Sequence, residues 1–510
     1  MSYCPPTGAL APLTLSMEYT TLAAVDLGSN SFHLEIARVV DDQLYPLDSL
    51  KETVRLGGGL TPDKRLEAAA QDRALAALRR FSERIAGMPR EAVRVVGTNT
   101  LRVAKNAREF IAAAESALGC PVEVISGREE ARLIYLGVVH SIPISGQNRL
   151  VVDIGGGSTE FIIGNKLRTK VVESLYMGCV SWTRRFFPDG RVDKKSFKAA
   201  ELAAREHVQT LVARFEKEGW KEALASSGTA RSLSEVMRAS GVADSGITAD
   251  GLAWLRDELV SAGELKRLAL PGLREDRAPV FAGGAAIMSG IFAELELKRM
   301  AVAEGALRQG VLWDLLGRVH HRDIREVTVE QFGRRYHVDQ AQSQRVGQLA
   351  RAILKGLGLG GGEEGHAAAS FLDWAAKLHE IGISISQGAY HKHSAYILAN
   401  ADMPGFSREE QGWLSNLVLA QRGRLSKMKA AFADDERLAA LAFCLRLPVI
   451  VYRSRRSLKL PKMKAAMRPK GFRLEIDGRW LEENTLVAIA LEREREEWDS
   501  VGLELEVLET

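Results

Sequence analysis

Two stretches of the chain share one hydrophobic pattern. Leu22-Ala23-Ala24-Val25 and Leu150-Val151-Val152 are apolar runs that lead into an acid, Asp26 and Asp153. Each acid is followed by a turn of glycine and hydroxyl residues and then by a second run with recurring apolar positions, Phe32, Leu34 and Ile36 in one case and Phe161, Ile162 and Ile163 in the other. Branched aliphatic residues flanking a small-residue turn predict a β-hairpin in both places. The two acids stand 127 positions apart, the spacing expected if each hairpin opens its own α/β domain, so an internal duplication is the simplest account.

Between and after these hairpins the pattern alternates. Helical spacing over Pro62–Ala86 is followed by a strand, turn and helix start at Arg94–Arg102, a helix at Ala107–Leu118, a strand at Val122–Ile125 and a helix opening at Ser126. The second half adds a strand at Val171–Tyr176, a helical stretch at Asp193–Trp220, a strand-to-helix turn at Leu224–Leu233, and helix openings at Val280–Ile287 and Ala303–Gly310. This alternation indicates layered α/β domains. From about Arg322 the period is helical with few strand signals, over Gln340–Leu357, Ala367–Ile381, His393–Ala399 and Arg408–Leu419, and Gly356–Gly365 reads as a flexible loop. A strand at Phe472–Ile476, a helix at Asn484–Trp498 and a strand at Leu503–Leu508 close the chain as a small α/β unit. The expected division is a disordered extension over 1–19, which carries Pro5, Pro6 and Pro12, α/β domains over 20–142 and 143–320, a helical domain over 321–450 and the small basic unit over 451–510.

Composition narrows the class without naming a chemistry. At 510 residues the chain exceeds a single core, and 46% hydrophobic with 26% charged residues is ordinary for a globular protein. No apolar run approaches the roughly 18 residues that span a bilayer, although peripheral membrane association stays open. Four cysteines (Cys4, Cys120, Cys179, Cys444) lie far apart without a C-x-x-C pair, which argues against a zinc or disulfide framework and makes a reducing cytoplasm the default. The net charge of +4 says little about partners, but between Arg453 and Arg473 there are nine basic residues and no acid. Such a block, which includes Arg455, Arg456, Lys459, Lys462 and Lys464, is either a solvated, self-repelling surface or a polyanion-binding one. His379, His391 and His393, with Asp373 and Glu380 nearby in sequence, raise the question of a metal site, though histidines scattered on helices are more often structural.

The two hairpin turns carry the candidate chemistry. In Gly155-Gly156-Gly157-Ser158, consecutive glycines are able to adopt positive φ and to leave N–H groups uncovered, so the turn can wrap an anion. Asp153 and Glu160 stand at its mouth, and carboxylates beside a phosphate cradle make sense with a hard cation between them, usually Mg²⁺. The matching turn Gly28, Ser29, Asn30, Ser31 is placed to hold a polyphosphate from the other side. Arg102, near a hydroxyl-rich turn, is suited to grip phosphate oxygens bidentately, and the small-residue turn at Ser226–Thr229 is a further anion site. The acids Glu129 and Glu130 have a bland account, complementing the helix dipole, which the residues alone leave open.

Asp26-Leu27-Gly28-Ser29-Asn30-Ser31-Phe32-His33 and Asp153-Ile154-Gly155-Gly156-Gly157-Ser158-Thr159-Glu160, with Gly97-Thr98-Asn99-Thr100-Leu101-Arg102 and Ser126-Gly127-Arg128-Glu129-Glu130-Ala131-Arg132 between them, closely resemble the exopolyphosphatase and guanosine pentaphosphate phosphohydrolase family, from about residue 20 onward. The resemblance implies membership of the actin, hexokinase and Hsp70 superfamily, with two ribonuclease-H-like domains around a phosphate cleft. It implies that Glu130 activates the attacking water, that Mg²⁺ sits near Asp153 and Glu160 with Asp26 joining through water, and that the protein is a homodimer; a need for K⁺ stays open. The part from about Arg322 resembles a degenerate HD domain, with Gln342 where a His is expected and His379-Glu380 in place of His-Asp, so a di-metal centre is not expected there and the domain is read as structural or polyanion-guiding. The implied reaction is processive release of orthophosphate from inorganic polyphosphate, or hydrolysis of the 5′ γ-phosphate of guanosine pentaphosphate; no specific nucleic-acid partner is expected. On that reading the basic block becomes a cationic track favouring long substrates. A sugar or acetate kinase, for which Ala282-Gly283-Gly284-Ala285 offers an adenosine-like turn, and a phosphate sensor without catalysis are the competing classes. Glu130 argues against the sensor, because a pure binder has no use for an acid that repels phosphate.

Overall fold

The computed structural model describes residues 19–40, 43–143, 145–319 and 323–510; residues 1–18 of the expected extension lie outside them. The chain divides into two compact units, Met1–Asp323 and Ile324–Thr510.

The first unit contains two sheets. The first is built from β1 (Thr21–Leu27), β2 (Phe32–Val40), β3 (Gln43–Glu52), β4 (Val93–Gly97) and β5 (Val122–Val124), in the order β3-β2-β1-β4-β5. The second uses β6 (Arg149–Ile154), β7 (Thr159–Asn165), β8 (Arg168–Leu175), β9 (Glu222–Ser226), β10 (Ile247–Thr248) and β11 (Arg299–Val302), in the order β10-β11-β9-β6-β7-β8. In each, an antiparallel meander of three strands is extended by parallel strands beyond the first, so the second sheet repeats the first with β10 added at its edge. This is the order expected of two ribonuclease-H-like domains. The central strands β1 and β6 are buried along nearly their whole length, because helices cover both faces of a sheet with parallel neighbours.

The helices of this unit are α1 (Ala68–Ile85), α2 (Asn99–Val103), α3 (Ala107–Leu118), α4 (Gly127–His140), α5 (Cys179–Phe186), α6 (Lys194–Glu218), α7 (Ser227–Ala239), α8 (Ala249–Ala262), α9 (Ala278–Glu294) and α10 (Leu307–Val319). Helix α1 starts later than its spacing suggests. The Thr61 hydroxyl donates to Asp63 at 2.6 Å and accepts from the Arg65 N–H at 2.9 Å, which closes a turn with Lys64 at φ 64. Strand β3 had no sequence signal, since it is an exposed edge strand carrying Pro46.

Helices α4 and α10 are exchanged between the halves. α4 follows the first sheet in sequence yet packs on β7 and β8, whereas α10 follows the second and packs on β1. They pack on each other through a shared core that includes Ile134, Val138, Val311 and Leu315. A Cβ at Gly137 would stand 2.0 Å from the Ala306 carbonyl oxygen, and one at Gly310 1.7 Å from that of Leu133. Only glycine lets the two backbones approach so closely.

The second unit comprises α11 (Ile324–Arg335), α12 (Gln340–Gly356), α13 (Gly362–Leu378), α14 (Tyr390–Asn400), α15 (Arg408–Ala420), α16 (Lys429–Asp434), α17 (Glu436–Val451), α18 (Gly478–Glu483) and α19 (Thr485–Asp499), with a sheet β12-β13-β14 (Met463–Arg468, Gly471–Ile476, Glu504–Glu509). The glycine stretch is less of a loop than its composition suggests. Gly358 at φ 76 terminates α12, and α13 already begins at Gly362. Phe472, Leu474, Ile476, Trp498 and Leu505 of the last segment share one core with Val346, Leu349, Leu441 and Phe443 of the helices, so the boundary expected at 450 falls inside continuous packing.

Candidate active site

Each hairpin register places its chemistry. Asp153 is the direct cross-strand partner of Glu160, and Asp26 is the partner of His33. Opposed residues on neighbouring strands have Cβ atoms about 5 Å apart on one face, so the repeat sets an Asp–Glu pair in one half and an Asp–His pair in the other. The turns that follow come together. A Cβ at Gly156 would stand 3.0 Å from Ser29 Cβ, and one at Gly157 2.6 Å from Asn99 Oδ1. None of Gly28, Gly155, Gly156 or Gly157 has positive φ. That corrects the reason for the glycines: Gly156 and Gly157 leave room for close approach between the jaws, and Gly28 and Gly155 for a carbonyl of their own turn, at Ser31 (2.8 Å) and Ser158 (3.1 Å), none of them for left-handed backbone.

Asp26, Gly28, Ser29, Asn30, Ser31, Glu130, Asp153, Gly155, Gly156, Gly157 and Ser158 line one cleft of about 130 Å³. That is well above the roughly 10–15 Å³ a single water needs, and it leaves room for a phosphoryl group. Burial pushes the Asp26 carboxyl up to about 7, with Arg308 opposing the rise and Glu130 and Asp153 adding to it. Asp153 is pushed up to about 6, again by burial first. Glu160, buried and accepting from the Ser174 hydroxyl at 2.8 Å, is raised well above its ordinary value by burial and then by Glu130 and Asp153. One Asp26 oxygen, Oδ1, is buried without a hydrogen-bond partner. Burial thus outweighs the nearby arginines at these three carboxyls.

Arg102 is not where it was expected. Its guanidinium is buried, donates to Glu130 Oε2 at 2.7 Å and to the Ile125 carbonyl at 3.1 Å, and does not line the cleft. It positions an acid rather than gripping phosphate. The helix also resolves the Glu129/Glu130 pair, since successive residues point about 100° apart. Glu130 faces the cleft, while Glu129, bound bidentately by Arg132 at 2.7 and 2.8 Å, joins a buried network. In that network Asp314 accepts from Arg132 at 2.5 Å, Arg94 at 2.7 Å and Arg318 at 3.1 Å, and Arg94 also binds Glu123 at 3.0 Å. Ser126 caps the helix by accepting from the Glu129 N–H at 3.1 Å.

The cleft also contains residues that sequence reading did not assign. Arg231, in the turn that opens α7, was signalled by the Ser226–Thr229 pattern, and Ser227, Gly228 and Thr229 line the cleft beside it. Arg308 opens α10 and bonds to both His33 and Glu35. Burial, then Arg308, holds His33 down at about 2, so its imidazole is neutral. Arg277 and Asn99 also line the cleft; Arg277 comes from the loop before α9 and had no local signal. The adenosine-like Gly283 and Gly284 instead lie inside α9, buried where a Cβ would meet Thr183 and Thr229.

In the second unit Arg455 is not free to form part of a track. It donates to Glu380 at 2.5 Å and Asp339 at 3.2 Å, tying the start of α12 to the segment after α13. Lys464 stands on β12 4.0 Å from Glu475, while Arg456, Lys459 and Lys462 are exposed. His379 Nδ1 donates to the Ala376 carbonyl at 2.7 Å, and Asp373 pairs with Arg351 instead of the histidines.

A family model described as the Ppx/GppA phosphatase family matches residues 35–319, and one described as Ppx/GppA phosphatase, domain III, matches 324–495. The chain belongs to the Ppx/GppA phosphatase family. Among solved structures, an exopolyphosphatase from Cytophaga hutchinsonii is 27% identical, with 58% of this chain and 97% of that chain covered at a TM-score of 0.53. An exopolyphosphatase-like protein is 26% identical over the same shares at 0.53. Both cover slightly less than the first unit's share of the chain. Membership in the Ppx/GppA phosphatases makes the protein a hydrolase of phosphoanhydrides, and it directs attention to the cleft acid with a defined orienting partner, Glu130. Among the described residues no helix is long and apolar enough to cross a membrane.

Proposed function

We propose that the protein removes the terminal phosphate of inorganic polyphosphate with Mg²⁺, Glu130 being the general base. The observation that carries this is the Glu130 carboxylate, fixed by Arg102 at 2.7 Å and presented to a cleft whose other walls are two amide-rich turns. A water held by Glu130 adds in line to the terminal phosphorus and its proton passes to the carboxylate. The bond from that phosphorus to the bridging oxygen breaks, and the shortened chain leaves with the electron pair. Backbone N–H groups of the Gly28–Ser31 and Gly155–Ser158 turns, with Arg231 and Arg308, offset the charge on the phosphoryl oxygens.

The residues fit Mg²⁺. Asp26 Oδ1 is an orphaned buried acceptor, and Asp153 and Glu160 are cross-strand carboxylates that burial holds above their ordinary pKa. Among the described residues no three acid, His or Cys side chains converge as a metal centre. Mg²⁺ is compatible with that, because it is commonly held by one or two carboxylates with phosphate oxygens and water completing its shell. When bound it would supply charge neutralisation at the phosphates.

Guanosine pentaphosphate presents the same triphosphate end and is the alternative substrate. The deciding measurement is phosphate release from long-chain polyphosphate and from guanosine pentaphosphate by wild type and Glu130→Gln. Turnover on the preferred substrate is expected to fall by about 10²–10⁴-fold with substrate binding retained; near-normal turnover would remove Glu130 from the role of base.

A further inference from the structure

Among the described residues, two side chains that line the cleft have a buried polar atom without a hydrogen-bond partner. One is an acceptor, Asp26 Oδ1, and the other is a donor, Asn99 Nδ2. Buried polar groups left unpaired are costly and rare, and these two are of opposite kind. The carboxylate oxygen suits a cation. The amide N–H suits an anion.

Asn99 is only 7% exposed and opens the short helix α2. Three contacts fix that helix. The carboxamide oxygen of Asn99 packs against the second jaw, where a Cβ at Gly157 would stand 2.6 Å from Oδ1. The next residue, Thr100, donates its hydroxyl to Ser29 Oγ of the first jaw at 2.8 Å. Arg102, three residues on and so a neighbour of Asn99 on the helix surface, donates to Glu130 Oε2 at 2.7 Å. One short segment therefore touches both turns and holds the cleft acid. With Oδ1 against the jaw, Nδ2 is the uncommitted end of the carboxamide, on a residue that shares the cleft wall with Glu130. A carboxamide carries two N–H donors, and it is neutral, so it serves an anion without entering the kind of ion pair that commits Arg102 to Glu130.

We propose that Asn99 is a catalytic residue: its Nδ2 donates to a non-bridging oxygen of the terminal phosphoryl group as the water held by Glu130 attacks. No bond to Asn99 forms or breaks. The donor offsets the negative charge on the phosphoryl oxygens in the transition state, beside the backbone N–H groups of the two turns. That the anion is a phosphoryl group rests on the proposed function, whereas the need for an anion rests on the unpartnered donor.

The test compares the full-length wild type with Asn99→Leu, close in size but unable to donate, and Asn99→Asp, of the same shape but bearing only acceptors. Phosphate release with Mg²⁺, from whichever of long-chain polyphosphate and guanosine pentaphosphate turns over, gives kcat and KM. Calorimetric titration with orthovanadate and with orthophosphate gives affinities, and thermal denaturation in divalent-free buffer gives stability. Loss of one such donor is expected to lower kcat about 10²–10³-fold, with KM changed much less. Orthovanadate, which takes the five-coordinate geometry of the transition state, is expected to lose at least about tenfold in affinity and orthophosphate less, as holds for a group that acts in the transition state. The midpoint of Asn99→Leu is expected to stay or rise, because an unpaired buried amide gives way to an apolar group. Near-normal kcat in Asn99→Leu, or an unchanged ratio of orthovanadate to orthophosphate affinity, overturns the proposal, as does a fall in stability without a fall in kcat. If Asn99→Leu does not fold, Asn99→Asp decides by the same kcat and affinity ratio. Normal turnover in Glu130→Gln with the Asn99→Leu losses intact defeats the base and leaves the donor; lost turnover in Glu130→Gln with Asn99→Leu unimpaired does the reverse.

Discussion

Two clusters of buried charge lie in the first unit, and adjacent residues of one helix belong to different ones. Glu129 joins a network in which Arg94, Arg132 and Arg318 face Glu123, Glu129 and Asp314, three charges of each sign with short contacts between them. Glu130 joins the cleft, whose wall it shares with Asp26 and Asp153, while Glu160 is buried beside Asp153 without lining the cleft and Arg102 is the direct ion-pair partner of Glu130. The pKa directions follow from this difference. Burial works to raise Asp314, but Arg132, Arg94 and Arg318 overcome it and hold the carboxyl far below its ordinary value. In the cleft the cations do not overcome burial, and Asp26 and Asp153 rise to about 7 and 6. In one cluster the arginines prevail over burial, and in the other burial prevails over the arginines.

The contrast is open to direct attack. Asp314→Ala leaves three arginines buried without their shared carboxylate, and a stability loss of about 3–5 kcal/mol is expected, read as a fall in denaturation midpoint; a loss below 1 kcal/mol would mean the network is not structural. Asp153→Asn is expected to lose at least about 10²-fold in phosphate release, in the range typical for removing a group that offsets transition-state charge, yet to leave thermal stability in divalent-free buffer unchanged or higher. A large fall in stability there would erase the distinction between the clusters.

The two also respond to pH in opposite directions. Because Asp26 and Asp153 titrate near 7 and 6 when folded and near 4 when unfolded, the folded protein holds more protons across that window. Stability of the divalent-free protein is therefore expected to fall as pH rises from about 4 to 8, and Asp26→Asn to flatten the profile. Asp314, with its folded pKa depressed, contributes stability that is present above its unfolded pKa near 4 and is lost below it. A divalent-free stability curve with no decline above pH 5 contradicts the first half. The smallest effect is expected in the second unit, where Arg455→Gln should lower stability by about 1 kcal/mol, as a partly exposed ion pair allows, read as a small fall in denaturation midpoint.

The hairpins, the alternation of strands and helices, and the acids Asp26 and Asp153 were legible because each rests on short-range pattern, apolar runs and a small-residue turn, whereas Glu130 was singled out from Glu129 only by the family resemblance. Three things were not. Arg277 reaches the cleft from a loop with no local signature, so only the tertiary structure reveals it. Arg102 sat in the right place in sequence, but the ion pair with Glu130 depends on how α2 meets α4, which spacing does not specify. Arg455 looked like part of an acid-free basic run because its partners, Asp339 and Glu380, lie 116 and 75 residues away. The glycines of the cleft were explained incorrectly by positive φ, since a close approach, as at Gly156 and Gly157, leaves the same residue in the sequence.

The exchange of α4 and α10 makes the two halves of the first unit a poor pair of modules. Each sheet is covered in part by a helix that the other half encodes, and the two helices touch backbone to backbone at Gly137 and Gly310. A fragment ending near residue 142 would carry α4 without the sheet it lies on, and would leave β1 without α10. The repeat is symmetric in origin and indivisible in folding, so an excised half is expected to be insoluble or molten where the whole unit is not.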